Sequence, residues 1–106
     1  MTKQFIKTKD NRKSVCYEND DYKVKISDID GYFMKKNGSN FVQYDDDVDE
    51  DEYIMAEAVK LEVTSKKTGK KTQKRCFQGY SVINDLQNDI ENGKKQFGKM
   101  FQKIDN

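Results

Sequence analysis

The sequence predicts an α+β domain: a small antiparallel sheet of about five or six strands, two of its connections being hairpins, followed by one long C-terminal helix. Three observations predict it. Apolar and polar residues alternate with a period of two over residues 22–27 and 59–64, the pattern of strands with one face in a core and one in water. Asn37-Gly38 stands between two β-prone runs, and this pair takes the positive φ angles of a two-residue hairpin turn readily. From Ile83 onward, apolar residues recur at three- and four-residue steps, the spacing of one helix face.

In chain order, residues 1–13 hold one apolar pair, Phe5-Ile6, among five cations, and form a short edge strand or a loose N-terminal arm. Val15, Cys16 and Tyr17 make a short strand. Tyr22, Val24 and Ile26 form the inward face of the next, with Lys23, Lys25 and Ser27 outward. A two-residue loop at Asn37-Gly38 sets Phe33 opposite Val42 and Met34 opposite Phe41. Residues 45–52 carry seven carboxylates in eight positions, a density that expels itself from any packed element and makes an acidic loop. Val59, Leu61 and Val63 then mark a strand, and a second hairpin turns at a basic tip, residues 66–71. Its return strand runs from Thr72 to about Tyr80. A two-residue loop there pairs Glu62 with Arg75, and a three-residue loop pairs Leu61 with Phe77.

The helix is expected over 81–104, with Ser81 as its N-cap and Ile83, Leu86, Ile90, Phe97, Met100 and Ile104 on one face. Asp85 and Asp89 lie early and Lys94, Lys95, Lys99 and Lys103 late, which suits the helix dipole. Gly93 fills the missing apolar slot, and with Gly98 it weakens the middle by about 1 kcal/mol per glycine, so a kink or break belongs there.

The chain of 106 residues is one domain by length. Its apolar fraction, 34%, is low against 37% charged residues, so the core must lean on the six Tyr and six Phe. No export signal opens it and no apolar run is long enough to span a membrane, which points to the cytoplasm of the producing or host cell. Cys16 and Cys76 form no CxxC pair and the chain has no histidine, so they are expected as free thiols and not as metal ligands. Eighteen Lys against two Arg, with eight Asn and no Pro, suggest an AT-rich coding source, such as a low-GC bacterium or one of its phages.

The same inventory removes the commonest general base near neutral pH, and no pair of carboxylates is singled out by spacing, so no catalytic residue and no cofactor is expected. Neither Asp28-Ile29-Asp30-Gly31 nor the 45–52 run completes a calcium loop, and no metal site is expected either.

Charge segregation is the distinctive feature: residues 45–52 sum to −7 and residues 66–75 to +6. Three binding roles follow. The carboxylates of Asp45, Asp46, Asp47, Asp49, Glu50, Asp51 and Glu52 resemble a row of phosphates. They suit a protein partner that itself handles nucleic acid, as a small phage or mobile-element inhibitor would. Lys66, Lys67, Lys70, Lys71, Lys74 and Arg75 suit direct contact with a nucleic-acid backbone, with Phe77 or Tyr80 to stack on a base. Phe97, Met100, Phe101 and Ile104, if the helix end protrudes, form an apolar stripe for homo-oligomeric assembly.

Overall fold

Where polar and apolar residues alternate, the chain is extended and one side of it is dry. In the computed structural model, which describes residues 3–29, 32–35, 41–43, 53–55, 58–94 and 96–106, β1 is Ile6–Asp10, β2 is Ser14–Glu18 and β3 is Tyr22–Asp28. β4 (Tyr32–Lys35), β5 (Phe41–Gln43) and β6 (Tyr53–Met55) follow, then β7 (Val59–Ser65) and β8 (Lys71–Cys76). Five of these make one antiparallel sheet in the order β1-β2-β3-β7-β8. A second sheet, in the order β5-β4-β6, is built from the segment inserted between β3 and β7. The sequence suggested a single sheet of five or six strands; the three short strands instead pair among themselves.

The insertion leaves and returns at one point. β3 and β7 pair over seven positions, from Tyr22 opposite Ser65 to Asp28 opposite Val59. The expected first hairpin register is present, with Phe33 opposite Val42 and Met34 opposite Phe41. The Asn37-Gly38 turn itself lies outside the described residues. The second hairpin differs from both expected registers: Lys60 pairs with Arg75, Glu62 with Gln73 and Thr64 with Lys71. Its loop is four residues long, closed by the Ser65 amide on the Lys70 carbonyl and the Gly69 amide on the Ser65 carbonyl, both at 2.9 Å. Gly69 takes a φ of 74°, which a glycine tolerates without strain, and this sets the extra loop length.

Alternation in β3 and β7 delivers Val24, Ile26, Leu61 and Val63 to one face of the sheet, where they are buried with Val15, Val59 and Cys76. Each fully buried aliphatic side chain stabilises by about 1.5–3 kcal/mol. Two helices cover that face, α1 (Val82–Asn92) and α2 (Gly98–Asp105), after a 3₁₀ turn at Gly79–Ser81. Ser81 does not cap α1 through its side chain; inside the 3₁₀ turn its hydroxyl donates to the Gln78 carbonyl at 2.6 Å.

The single long helix is in fact two. Gly93 ends α1 with a left-handed φ of 95°, and Lys94 follows at 61°. The apolar spacing continues through the break because α2 packs on the same core: Phe97, Met100, Phe101 and Ile104 are buried. The assembly stripe expected from a protruding helix end is therefore interior to the chain, with Phe101 only 2% exposed, because the break folds α2 back over the sheet. Neither helix is long and apolar enough to cross a membrane.

The join is held by Asp89. This buried carboxylate accepts the backbone amides of Gln96 at 2.7 Å and Phe97 at 2.5 Å, the donors just ahead of α2. Its own carbonyl accepts the amides of Gly93 and Lys94, closing α1. Cys16 on β2 and Cys76 on β8 are both unbridged. Three strand spacings separate β2 from β8, about 14 Å, well beyond disulfide reach.

Asp89→Ala is expected to lower unfolding stability by about 2–4 kcal/mol, since the buried Phe97 amide and the partly buried Gln96 amide lose their acceptor. Asn88→Ala, on the exposed side of the same helix, is expected to change it by less than about 0.5 kcal/mol. Urea unfolding of both variants checks this; equal effects would mean that the Asp89 bonds do not hold the join.

Candidate functional site

Topology sorts the charges of this chain. Residues 1–29 and 58–106, which build the five-stranded sheet and both helices, carry 18 Lys and Arg against 10 Asp and Glu. Residues 30–57, the insertion, carry 9 acidic residues and 2 basic ones. The net charge of +1 is thus the sum of a body at +8 and an insertion at −7. A near-neutral total conceals a basic body joined to an acidic insertion.

Within that body three cations lie along β8. It is the last strand of its sheet, and among the described residues no strand pairs with its outer side. Lys71, Gln73, Lys74 and Arg75 are all exposed. Strand alternation divides them. Lys71, Gln73 and Arg75 share the helix-free face with Thr64, Glu62 and Lys60, their partners on β7. Lys74 and Thr72 point to the helix side, where the Lys74 ammonium lies 5.6 Å from the centre of the Phe97 ring. Beside them runs α2, which presents Lys99 and Lys103 to water while its other face is buried.

The space between β8 and α2 is a groove of about 490 Å³. Its lining includes Lys74, Lys99 and Lys103, with Gln96 and Gln102 and the buried Phe97 and Met100. Among the described residues no carboxylate lines it. Two smaller hollows adjoin it: one of about 290 Å³ bounded by Lys60, Gln73, Lys74 and Arg75, and one of about 470 Å³ bounded by Lys71, Thr72, Gln73 and Lys103.

The basic cluster expected at 66–75 is therefore split. Two of the tip lysines turn toward their own chain, Lys66 pairing with Glu18 at 3.5 Å and Lys70 donating to the Asn106 carbonyl, while Lys67 is exposed beside the hollow bounded by Tyr22, Lys94 and Asp105. Thr68 donates its hydroxyl to the Ile104 carbonyl, docking the tip on the end of α2. Lys71, Lys74 and Arg75 line the hollows along the strand instead. Lys60, Lys99 and Lys103 join them, and sequence reasoning had assigned them no binding role. The i, i+4 spacing of Lys99 and Lys103 was the available signal. Of the two aromatics expected to stack on a base, Tyr80 is half-buried with its hydroxyl donating to Asp28 at 2.6 Å, and Phe77 is half-buried too. Asp45, Asp46, Asp47, Asp49, Glu50, Asp51 and Glu52 lie outside the described residues.

On the far side of α2 a polar cluster fixes the helix. The Tyr22 hydroxyl donates to Asp105 at 2.7 Å, and the Lys94 ammonium donates to both, at 2.8 Å each. The same ammonium lies 4.8 Å from the centre of the Phe101 ring. These contacts offset the cost of a left-handed backbone at Lys94, about 1–2 kcal/mol for a residue with a side chain. Burial pushes the Asp105 carboxyl up, but the Lys94 and Tyr22 bonds outweigh it and hold the group below the usual range. On the sheet, the Lys60 ammonium at 3.0 Å lowers Glu62 against the effect of burial, with Lys71 and Lys25 adding to it.

Among the described residues no group of three or more Cys, Asp or Glu is placed to hold a metal ion. Neither a family model nor a curated protein nor a solved structure matches the chain.

Because the folded state holds Asp105 and Glu62 below their unfolded values, their contribution to stability is present above the ordinary carboxylate range. It is lost as pH falls below about 4. Asp105→Asn is expected to be less stable than the parent chain at neutral pH, with the gap closing toward pH 3 or so as the parent's carboxylate protonates. Urea unfolding at several pH values measures the gap; a difference that stays constant with pH contradicts this account.

Proposed function

We propose that this chain is a binding protein for nucleic acid, gripping the phosphate backbone at β8 and α2 without reading sequence. The observation that carries the reading is the acid-free groove, whose walls draw Lys74 from the sheet and Lys99 and Lys103 from the helix. Exposed ammonium groups arranged this way attract phosphates and release their counterions, which is the main source of sequence-independent affinity. The glutamine amides between them add hydrogen bonds to phosphate oxygens. Phe97 is only 2% exposed, so it supports Lys74 and offers no face to a base, and base-specific stacking is not part of the proposal.

A second reading has support from the way the insertion gathers charge. With nine acidic residues against two basic ones, it suits the basic groove of a nucleic-acid-handling protein, acting as a phosphate mimic. The two readings part on one variant. Neutralising Asp45, Asp46, Asp47, Asp49, Glu50, Asp51 and Glu52 to Ser and Asn removes self-competition for cations, so nucleic-acid affinity is expected to rise while the fold is kept. A mimic would lose its protein partner under the same change, and nucleic acid would bind neither form.

Replacing Lys74, Lys99 and Lys103 together by Gln is expected to weaken DNA binding at least about tenfold at low salt. The slope of log affinity against log salt is expected to flatten by about 2–3, at 0.7 to 0.9 per lost phosphate contact. Fluorescence anisotropy across a salt series reads both quantities. Binding with an unchanged slope would remove the groove from the proposal, and no binding of any DNA or RNA by the parent chain would end it.

A further inference from the structure

We propose that the nucleic acid is double-stranded and that the free edge of β8 seats in its groove, the cations on the two faces of the strand each meeting one of the two phosphate backbones. This rests on the nucleic-acid reading above and goes beyond it in naming the form of the ligand.

The argument starts from strand geometry. Side chains on one strand point alternately to opposite faces, so an edge strand carrying cations at both parities presents two rows with the strand between them. On β8 the helix-free row is Lys71 and Arg75, joined by Lys60 from the paired position on β7. The helix-side row is Lys74, extended by Lys99 and Lys103 on α2. The surface is continuous from one row to the other. One hollow is bounded by Lys60 and Arg75 from the first row and Lys74 from the second; the other is bounded by Lys71 from the first and Lys103 from the second. Gln73 borders both, at the centre of the edge.

A single strand of nucleic acid has one row of phosphates and needs only one row of cations. A duplex has two, facing each other across a groove. The major groove is about 12 Å wide, and β8 is the edge strand of a five-stranded sheet, with the helix-free face on one side and the β8–α2 groove on the other. Glu62 is the acidic member of the helix-free face at this point, and its carboxylate is engaged by Lys60 at 3.0 Å. Lys71 and Arg75, exposed on the same face of β8, are the strand's own cations toward that backbone.

The test uses the full chain, a fluorescent duplex of about two helical turns, and one of its strands alone. Two row variants are compared with the parent: Lys74→Gln, Lys99→Gln and Lys103→Gln together, and Lys71→Gln with Arg75→Gln. All five side chains are exposed, and circular dichroism confirms that the variants fold. The duplex is expected to bind at least about tenfold more tightly than the single strand. The duplex salt slope is expected to fall by about 2.7 in the first variant and about 1.8 in the second, and each variant is expected to lose the preference for duplex. Equal or tighter binding of the single strand overturns the proposal while leaving nucleic-acid binding in place. So does a silent row, in which one variant keeps the parent's duplex affinity and slope. Displacement of the duplex by polyglutamate of equal charge overturns it too, by making the edge a site for acidic peptide. Failure of every nucleic acid to bind removes the underlying reading as well.

Discussion

The carboxylate of Asp89 accepts the amides of Gln96 and Phe97 from within the core, and this fixes the direction in which the chain re-enters a helix. Everything on the basic side of the molecule depends on that turn. Without it, an uninterrupted helix 82–104 would carry its last turns past the sheet, about 34 Å from start to end. With it, α2 lies beside β8, Phe97 comes under Lys74, and Lys99 and Lys103 face the strand's cations across a groove. The far end of α2 is tied down independently, by the Tyr22, Lys94 and Asp105 cluster and by the hairpin tip that reaches Ile104 and Asn106. A groove whose walls come from a strand and a helix keeps its width only if both ends of the helix are held, and here they are.

Much of the sheet was legible because burial in a two-layer domain imposes a period of two. Tyr22, Val24, Ile26, Val59, Leu61 and Val63 alternate in the sequence and all six are buried. The Phe33 to Val42 and Met34 to Phe41 pairs followed from Asn-Gly chemistry alone. The second hairpin was not legible to the residue, since Gly69 serves two-, three- and four-residue loops alike. In the observed loop Thr68 donates to the Ile104 carbonyl, a tertiary contact that no local pattern announces. The helix break lay between legible and illegible. Gly93 marked the place, but the apolar spacing ran on through it, because α2 returns to the same core in phase. Asp89 gave no signal, as an acidic residue in a helix is ordinarily solvated.

The site was legible as charge and not as geometry. A run of six cations over 66–75 is visible in the sequence, yet its halves do different things. Two of the tip lysines meet Glu18 and the Asn106 carbonyl, while the strand lysines look outward, and that division depends on a register the sequence left open. The net charge of +1 is the sum of two parts that the topology separates at a single strand pair, Asp28 opposite Val59. Charge per structural unit, which needs the strand order, carries the information that charge per chain conceals.

That separation has a kinetic consequence. Long-range steering depends on the field of the whole molecule, and a chain near neutrality supplies little of it, so encounters with a polyanion should be close to unsteered. The salt slope is a different quantity: under the proposed binding it counts the phosphate contacts made by the cations around β8 and α2, and not the total of +1. The arrangement also limits the hazards of a free strand. An unpaired edge invites other strands to add to it, and lysines along that edge oppose such pairing. Lys71, Lys74 and Arg75, which oppose strand addition at β8, are the same cations that the proposed binding assigns to phosphate. One strand's side chains would thus exclude one class of partner while attracting another.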